Sequence, residues 1–133
     1  MPKAFYWLGP HERLTAERFI KAGFLKGKYQ FGVLLWTPEA RRVAAKGGKF
    51  YEGQAKLLMW KIDMVCETED EIWVIQVTDI IRDSAISRVL KYKMEYERQY
   101  KPTKPVKMGL VAARDNVAFH EMLRQLGIKW WIV

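Results

Sequence analysis

Residues 60–80 decide the fold, and they read WKIDMVCETEDEIWVIQVTDI. Two runs rich in β-branched and aromatic residues, Lys56–Cys66 and Glu71–Ile80, flank the acidic segment Glu67–Asp70. Runs of this kind joined by a short polar segment are typical of two neighbouring strands. The sequence therefore predicts a β-hairpin at the centre of the chain.

The hairpin carries two polar pairs within its apolar strands. Because side chains alternate between the faces of a strand, Lys61 shares a face with Asp63, and Gln76 shares one with Thr78. The opposite faces are formed by Trp60, Ile62, Met64 and Cys66 on the first strand, and by Trp73, Ile75 and Val77 on the second. If the polar faces coincide, the buried carboxylate of Asp63 needs a cation or a hydrogen-bond network. The alternative is an exposed ion pair between Asp63 and Lys61 or an arginine.

Start and stop signals organise the rest of the chain. Before the hairpin they predict a helix from Gly9-Pro10 to Ala22, a strand over Tyr29–Trp36, a short helix from Thr37-Pro38 to Gly47-Gly48, and a mobile Gly- and Lys-rich loop over Lys46–Gln54. After the hairpin they predict a helix over Ser84–Tyr100, a strand over Val106–Ala112, a helix from Asp115-Asn116 to Gln125, and a last strand over Ile128–Val133. This order predicts a single α/β domain over residues 1–133, with a mixed central sheet flanked by helices.

Composition excludes several classes of protein. Half of the 133 residues are hydrophobic, which is enough for a folded core. No apolar run approaches the roughly 18 residues of a membrane span, and Lys3 is not followed by the apolar segment of a secretory signal. The single cysteine, Cys66, excludes an internal disulfide and a cysteine zinc site. We therefore expect a cytoplasmic protein with no membrane association.

The charge balance indicates a polyanionic partner. The chain holds 23 Lys and Arg against 15 Asp and Glu, a formal charge of +8. This excess is typical of proteins that bind nucleic acid, and a merely solubilising surface is the alternative. Two basic groups are candidates for contacts with DNA: Arg41, Arg42, Lys46 and Lys49 around the predicted loop, beside Phe50 and Tyr51, and Arg82, Arg88, Lys91, Lys93 and Arg98 near the polar pairs.

The first helix offers a further carboxylate. At about 100° per residue, Glu12 lies on the stripe of Ala16 and Phe19, whereas Glu17 is rotated toward solvent. Glu12 is therefore expected to face inward. Stabilisation of the helix N-terminus is the alternative role for this carboxylate.

The sequence Trp60-Lys61-Ile62-Asp63, followed on the next strand by Ile75-Gln76-Val77-Thr78, resembles the core motif of the PD-(D/E)xK nuclease superfamily. In that superfamily an Asp ends one strand, a (D/E)xK tripeptide lies on the next, and a helix with a Gln-x-x-x-Tyr pattern follows. Arg88 and Tyr92 occupy the matching positions of that helix here. The resemblance extends over residues 55–133 and implies a restriction-endonuclease-like fold.

The resemblance implies a DNA nuclease that uses Mg²⁺ or Mn²⁺, with Asp63, Gln76 and Glu12 as metal ligands. Gln76 stands where Asp or Glu is usual, although some branches of the superfamily use Gln there. Thr78 stands where the family has its lysine, and a threonine has no ammonium to stabilise developing negative charge. Three lysines are candidates for its replacement: Lys61 on the same strand as Asp63, and Lys91 and Lys93 on the following helix.

Two other functions stay open beside the nuclease. A protein with this fold that has lost catalysis is expected to act as a DNA-binding or assembly module, and an unrelated basic α/β protein is the third reading. The apolar segment Trp130–Val133 fits either an inner strand or an edge that pairs with a second subunit. A homodimer or a complex with a partner protein is thus consistent with the sequence.

Overall fold

A computed structural model describes residues 8–133. Lys3, on which the expectation about a secretory signal depends, lies outside the described residues. The elements are α1 (Pro10–Ala22), β1 (Lys28–Leu35), α2 (Pro38–Ala44), α3 (Lys49–Leu58), β2 (Trp60–Glu67), β3 (Ile72–Ile80), α4 (Asp83–Tyr100), β4 (Val106–Arg114), α5 (His120–Leu126) and β5 (Ile128–Ile132), with a 3₁₀ turn over Val117–Phe119. The expected α/β class, a mixed sheet flanked by helices, is confirmed.

The five strands form one sheet in the order β1-β2-β3-β4-β5. The pairs β1–β2 and β2–β3 are antiparallel, whereas β3–β4 and β4–β5 are parallel. Helix α1 covers one face, where Phe19 packs with Ile75 and Val111. Helices α4 and α5 cover the other face, where Val89 and Leu123 belong to a second core cluster. The central strand β3 is therefore buried on both sides.

Local signals set both ends of α1 and the start of α2 as expected. Two other expected boundaries are wrong, since α2 ends at Ala44 instead of Gly47-Gly48, and α5 begins at His120, after a 3₁₀ turn, instead of at Asp115-Asn116. Pro10 opens α1, and Gly23 ends it in the left-handed conformation at φ 71°. Thr37 caps α2 by accepting a 3.1 Å hydrogen bond from the backbone N–H of Ala40. Among residues 8–133, no helix combines the length and apolar character needed to cross a bilayer.

The segment after α2 differs from the prediction. The expected loop over Lys46–Gln54 is wrong, because helix α3 begins at Lys49. Gly47 and Gly48, at φ 79° and 91°, form only the turn between two helices. The predicted start of the first hairpin strand at Lys56 is also wrong, since that residue still belongs to α3. We call residues 38–58 the α2–α3 hairpin.

Strand β2 does not keep the expected alternation over its whole length. Ile62 packs in the core cluster on the α4 side, whereas Met64 and Cys66 pack on the α1 side. The expectation that these side chains share a face is therefore wrong. The switch occurs at Asp63, between the pairs Val33–Ile62 and Phe31–Met64, where Gly32 of β1 has φ 61°. On β3 the shared face of Trp73, Ile75 and Val77 is confirmed.

The apolar C-terminal segment forms an edge strand of the sheet. The ring of Trp131 lies 4.9 Å from that of Phe19 and 5.6 Å from that of Trp73, between ring centroids. Trp130 packs its ring 4.7 Å from the ring of His120. Both tryptophans thus contribute to packing within their own chain, although β5 lies at the edge.

Candidate functional site

Strands β2 and β3 are joined by side chains where their regular pairing ends. Backbone pairing runs from Glu67–Ile72 to Met64–Ile75. At the next position, Oδ2 of Asp63 accepts a 2.9 Å hydrogen bond from the backbone N–H of Val77. The backbone N–H of Asp63 donates a 3.1 Å hydrogen bond to Oε1 of Gln76. We call this arrangement the Asp63–Gln76 junction.

The polar residues of the junction are buried. Asp63 is 7% exposed, Gln76 3% and Thr78 9%. The alternative of an ion pair on an exposed face is therefore wrong for Asp63. The hydroxyl of Thr78 donates a 3.0 Å hydrogen bond to the carbonyl of Ile80. The buried carboxylate of Asp63 is thus hydrogen-bonded to the backbone of β3, in line with the hydrogen-bonded solution that the sequence allowed.

A polar cavity of about 170 Å³ opens beside the junction, at the N-terminus of α4. It brings together four of the residues expected to form a site, and Thr78 lies with them. The lining consists of Glu12, Gln76, Val77, Thr78, Asp79, Arg82, Ser84, Ala85 and Arg88. Glu12 from α1, which the sequence predicts to face inward, and Arg88 from α4, an exposed residue, thus line one cavity. Asp63 is not part of the lining and lies behind Gln76.

The carboxylates of the cavity have neighbours of their own. Asp79 Oδ2 accepts a 2.6 Å hydrogen bond from Arg114, which holds the pKa of Asp79 below its usual range. The Glu12 carboxylate lies against the start of α1, since a Cβ on Gly9 would meet its Oε2 at 2.8 Å. Both expected roles of Glu12, facing the site and stabilising its helix, are therefore compatible with its position.

The two arginines of the cavity, Arg82 and Arg88, form few interactions with other described residues. Arg82 donates a long hydrogen bond of 3.4 Å from Nε to the carbonyl of Ile80. Within the described part of the chain, neither Arg82 nor Arg88 forms an ion pair. The cavity therefore holds two guanidinium groups whose charge is not neutralised by a bonded carboxylate.

Tyr92 lies one helical turn from Arg88 and close enough to Asp63 for the charges of both to act on its phenol. Burial raises the pKa of the Tyr92 phenol, the nearby charge of Arg88 lowers it, and that of Asp63 raises it. The Tyr92 ring also packs 5.9 Å from the ring of Trp60. The buried junction is thus connected through Tyr92 to the surface around Trp60.

The three candidate replacements for the family lysine lie outside the cavity lining. The ammonium of Lys91 lies over the ring of Trp60, 4.1 Å from its centroid. Lys93 is ion-paired with Glu97 at 3.1 Å. Lys61 is half-buried on β2, opposite Leu34 of β1. The structure therefore brings the arginines of α4, rather than these lysines, to the cavity.

The residues at the site do not fit a divalent cation as they are arranged. Mg²⁺ requires several oxygen ligands around one point. Among residues 8–133, no group of three or more His, Cys, Asp or Glu side chains is placed to hold a metal ion. Gln76 turns its oxygen toward the backbone of Asp63. Of the three ligands that the resemblance implies, Asp63 lies outside the cavity lining and the oxygen of Gln76 is engaged elsewhere, so only the carboxylate of Glu12 is left to face the cavity.

The candidate DNA contacts Arg41, Arg42, Lys46 and Lys49 lie on the α2–α3 hairpin. The guanidinium of Arg41 stacks over Trp36 at 5.4 Å, and Lys46 lies 5.2 Å from the ring centroid of Tyr51. Phe50 is 70% exposed at the start of α3. Lys49, the first residue of α3, is exposed as well. The hairpin thus combines cations and aromatic rings on an open surface, as its sequence indicated.

Trp60 contacts residues of the α2–α3 hairpin on one side and Tyr92 of α4 on the other. It lines a second cavity of about 280 Å³, together with Thr37, Pro38, Glu39, Arg42 and Leu58. On its other side it contacts Tyr92, beside Arg88 and Asp63. Trp60 thus lies next to the hairpin and against α4, the helix that carries Arg88.

Sequence reasoning missed two residues of this region. Ser84 was read only as the start of a helix, although a serine in the first turn after a strand is a common ligand-facing position. Trp60 was assigned to the apolar face of a strand, and its position next to a half-buried lysine was the available signal. Comparison with known proteins adds no relative: the chain matches no family model, no curated protein and no solved structure.

Proposed function

We propose that this chain is a DNA-binding protein with a nuclease-type core, in which the polar cavity and the α2–α3 hairpin contact one nucleic-acid backbone. The observation that carries the proposal is the polar cavity, because Arg82 and Arg88 meet Gln76 and Thr78 there without a bonded counter-ion. Phosphate groups are the natural partners of guanidinium groups in such a position.

The arrangement of the elements supports the relation to the PD-(D/E)xK core. Asp63 and Gln76 lie on adjacent antiparallel strands and contact each other. Helix α4 then crosses to the parallel strand β4 and places Arg88 over the junction. This is the succession of elements that the resemblance implies for residues 55–133.

The distribution of charge and aromatic rings supports DNA as the partner. The formal charge of +8 favours association with a polyanion. The exposed ring of Phe50 and the cation-bearing ring of Tyr51 suit stacking with unpaired bases. Cations on the hairpin are placed for phosphates on either side of such bases.

Fluorescence anisotropy with labelled single-stranded, duplex and branched DNA tests the proposal. We expect affinity to fall with salt with a slope that reflects several phosphate contacts. A variant with Arg41, Arg42, Lys46 and Lys49 changed to Gln is expected to reduce that slope. A control with Lys107, Arg124 and Lys129 changed to Gln removes charge from the opposite end of the chain. Equal loss in both sets would mean that net charge alone governs binding, and no binding to any DNA would refute the proposal.

Hydrolysis with Mg²⁺ or Mn²⁺ is the second candidate, and the position of Glu12 in the cavity beside Gln76 favours it. It requires the amide of Gln76 to turn its oxygen toward the cavity. Plasmid and branched DNA are incubated with each metal, with wild type compared with Asp63→Ala. Cleavage that disappears in the variant establishes catalysis, and Thr78→Lys is then expected to increase the rate. Intact DNA under all conditions leaves binding as the function.

A further inference from the structure

We propose that the polar cavity binds a phosphate group directly through hydrogen-bond donors, with no divalent cation between protein and phosphate. The assignment of this phosphate to a nucleic-acid backbone rests on the proposed function, whereas the anion site itself does not. The inference follows from the disagreement between the donors that line the cavity and the oxygen ligands that a metal requires.

The side chain of Gln76 provides the first observation. It is only 3% exposed, and its Oε1 accepts the hydrogen bond from the backbone N–H of Asp63. An N–H requires an acceptor, so this bond fixes which atom of the amide is the oxygen. The remaining polar atom, Nε2, carries two donors, and no described residue accepts a hydrogen bond from it. Nε2 is not among the buried atoms that lack a partner, so solvent reaches it from the cavity, where an anion can accept its hydrogen bonds.

The start of α4 provides the second observation. This helix has 18 residues, and its N-cap residue, Arg82, makes no side-chain capping bond. The backbone N–H groups of Asp83 and Ser84 belong to the first turn, where no intrahelical carbonyl is available to them. Ser84 lines the cavity and adds a hydroxyl group. The positive end of the helix dipole and the amide donors of Gln76 therefore both favour an anion in the cavity.

The charges of the lining favour an anion as well. Arg82 and Arg88 have no ion-paired carboxylate among residues 8–133. The carboxylate of Asp79 is engaged by Arg114, and that of Glu12 lies against Gly9 at the start of α1. Thr78 uses its proton for the carbonyl of Ile80. The volume of about 170 Å³ is several times the roughly 30 Å³ that one water molecule occupies in the liquid.

NMR spectroscopy of the ¹⁵N-labelled full chain tests the anion site at pH 7.5. Inorganic phosphate and MgCl₂ are titrated separately, and the side-chain amide of Gln76 and the backbone amide of Ser84 are followed. We expect phosphate to shift both signals in a saturable way in the absence of any metal. A shift of these signals by Mg²⁺ but not by phosphate would overturn the proposal.

Two variants address the donors separately. Gln76→Glu keeps an acceptor for the Asp63 N–H but turns an oxygen toward the cavity, so phosphate binding is expected to be lost. Arg88→Gln removes one guanidinium, and we expect phosphate affinity to fall by roughly tenfold or more, as for a lost charge-assisted hydrogen bond. Arg124→Gln is the matched control, because it removes the same charge from an exposed position of α5, outside the cavity lining and outside both groups of candidate DNA contacts. Thermal unfolding followed by circular dichroism verifies that each variant is folded.

Titration with DNA separates this inference from the proposed function. If the protein binds phosphate, Arg88→Gln weakens that binding and no DNA binds, the anion site is supported and DNA binding is refuted. DNA binding that Gln76→Glu and Arg88→Gln leave unchanged relative to Arg124→Gln would refute the anion site alone. Phosphate affinity equal in wild type, Arg88→Gln and Gln76→Glu would also refute it.

Discussion

The Asp63–Gln76 junction buries polar side chains, whereas the α2–α3 hairpin exposes apolar ones. At the junction, a carboxylate and an amide are buried between two strands and satisfy backbone groups. On the hairpin, Phe50 and Leu57 are 70% and 78% exposed. Buried polar groups and exposed apolar side chains are the informative exceptions to the burial rule. Trp60 lines a cavity with residues of the hairpin and packs against Tyr92 of α4.

The two regions also differ in how they are held. The junction lies in the middle of a five-stranded sheet with helices on both faces. The hairpin packs mainly on itself, with Ala40 and Ala55 as its fully buried residues. Local stability follows the number of buried contacts. We therefore expect a rigid site beside a more readily opened arm.

Thiol labelling gives the largest expected difference between the two regions. In Leu57→Cys, the new thiol on the hairpin is exposed, whereas Cys66 in β2 is 0% exposed and burial raises the pKa of its thiol. We expect Cys66 to react with an aromatic disulfide reagent roughly a thousandfold or more slower than Cys at position 57, since it requires opening of the sheet. The two phases are measured in one sample under native conditions. If both thiols are labelled in a single fast phase, the sheet around Cys66 is not more rigid than the hairpin.

Unfolding in urea compares the energetic importance of the two regions. Asp63→Ala removes the acceptor of the buried Val77 N–H, and we expect the free energy of unfolding to fall by about 1–3 kcal/mol. Leu57→Ala on the hairpin is expected to change it by no more than about 0.5 kcal/mol. If the two losses are equal, the junction is not a structural centre of the sheet.

Binding of single-stranded DNA tests the hairpin as a stacking surface. Phe50→Ala removes an exposed ring, and we expect a loss of about 1–3 kcal/mol in binding free energy if one base stacks on it. Leu57→Ala is the control, because it removes an exposed side chain of the same helix that has no ring. Anisotropy measurements with single-stranded DNA and with duplex DNA are compared. An equal effect on both forms of DNA would contradict stacking with unpaired bases.

The smallest effect concerns the ion pair at the end of β3. The hydrogen bond from Arg114, together with its charge, lowers the pKa of Asp79. The folded state therefore favours the ionised carboxylate, and this stabilisation is present above the unfolded pKa of about 3.9 and is lost as the pH falls through the lower folded pKa. We expect Arg114→Gln to unfold slightly more easily than wild type at pH 6, with a difference that vanishes in acid. A difference that grows as the pH falls would contradict this assignment.

Much of the fold follows from local sequence patterns. Helix α1 begins and ends at its predicted caps, Pro10 and Gly23, and helix α2 begins after Thr37 as predicted, because a cap acts within one turn. Helix α2 ends at Ala44, before the predicted stop at Gly47-Gly48. Helix α3 was misread, since Gly47 and Gly48 indicate a flexible loop as readily as a turn between helices. The face of Ile62 was misread because alternation assumes an undistorted strand, and the distortion at Gly32 comes from the neighbouring strand.

The sequence by itself determined that Asp63 and Gln76 lie on neighbouring strands of one hairpin, and that Glu12 lies on the inward stripe of its helix. Periodicity carries this information, because each element buries one face. Only the tertiary structure decided which atom of Gln76 faces the cavity, since the backbone N–H of Asp63 on another strand orients the amide. It likewise decided that the arginines of α4, and not Lys61, Lys91 or Lys93, line that cavity. A side chain's direction within its element is local, but its hydrogen-bond partners come from residues distant in sequence, and they determine whether the cavity attracts a cation or an anion.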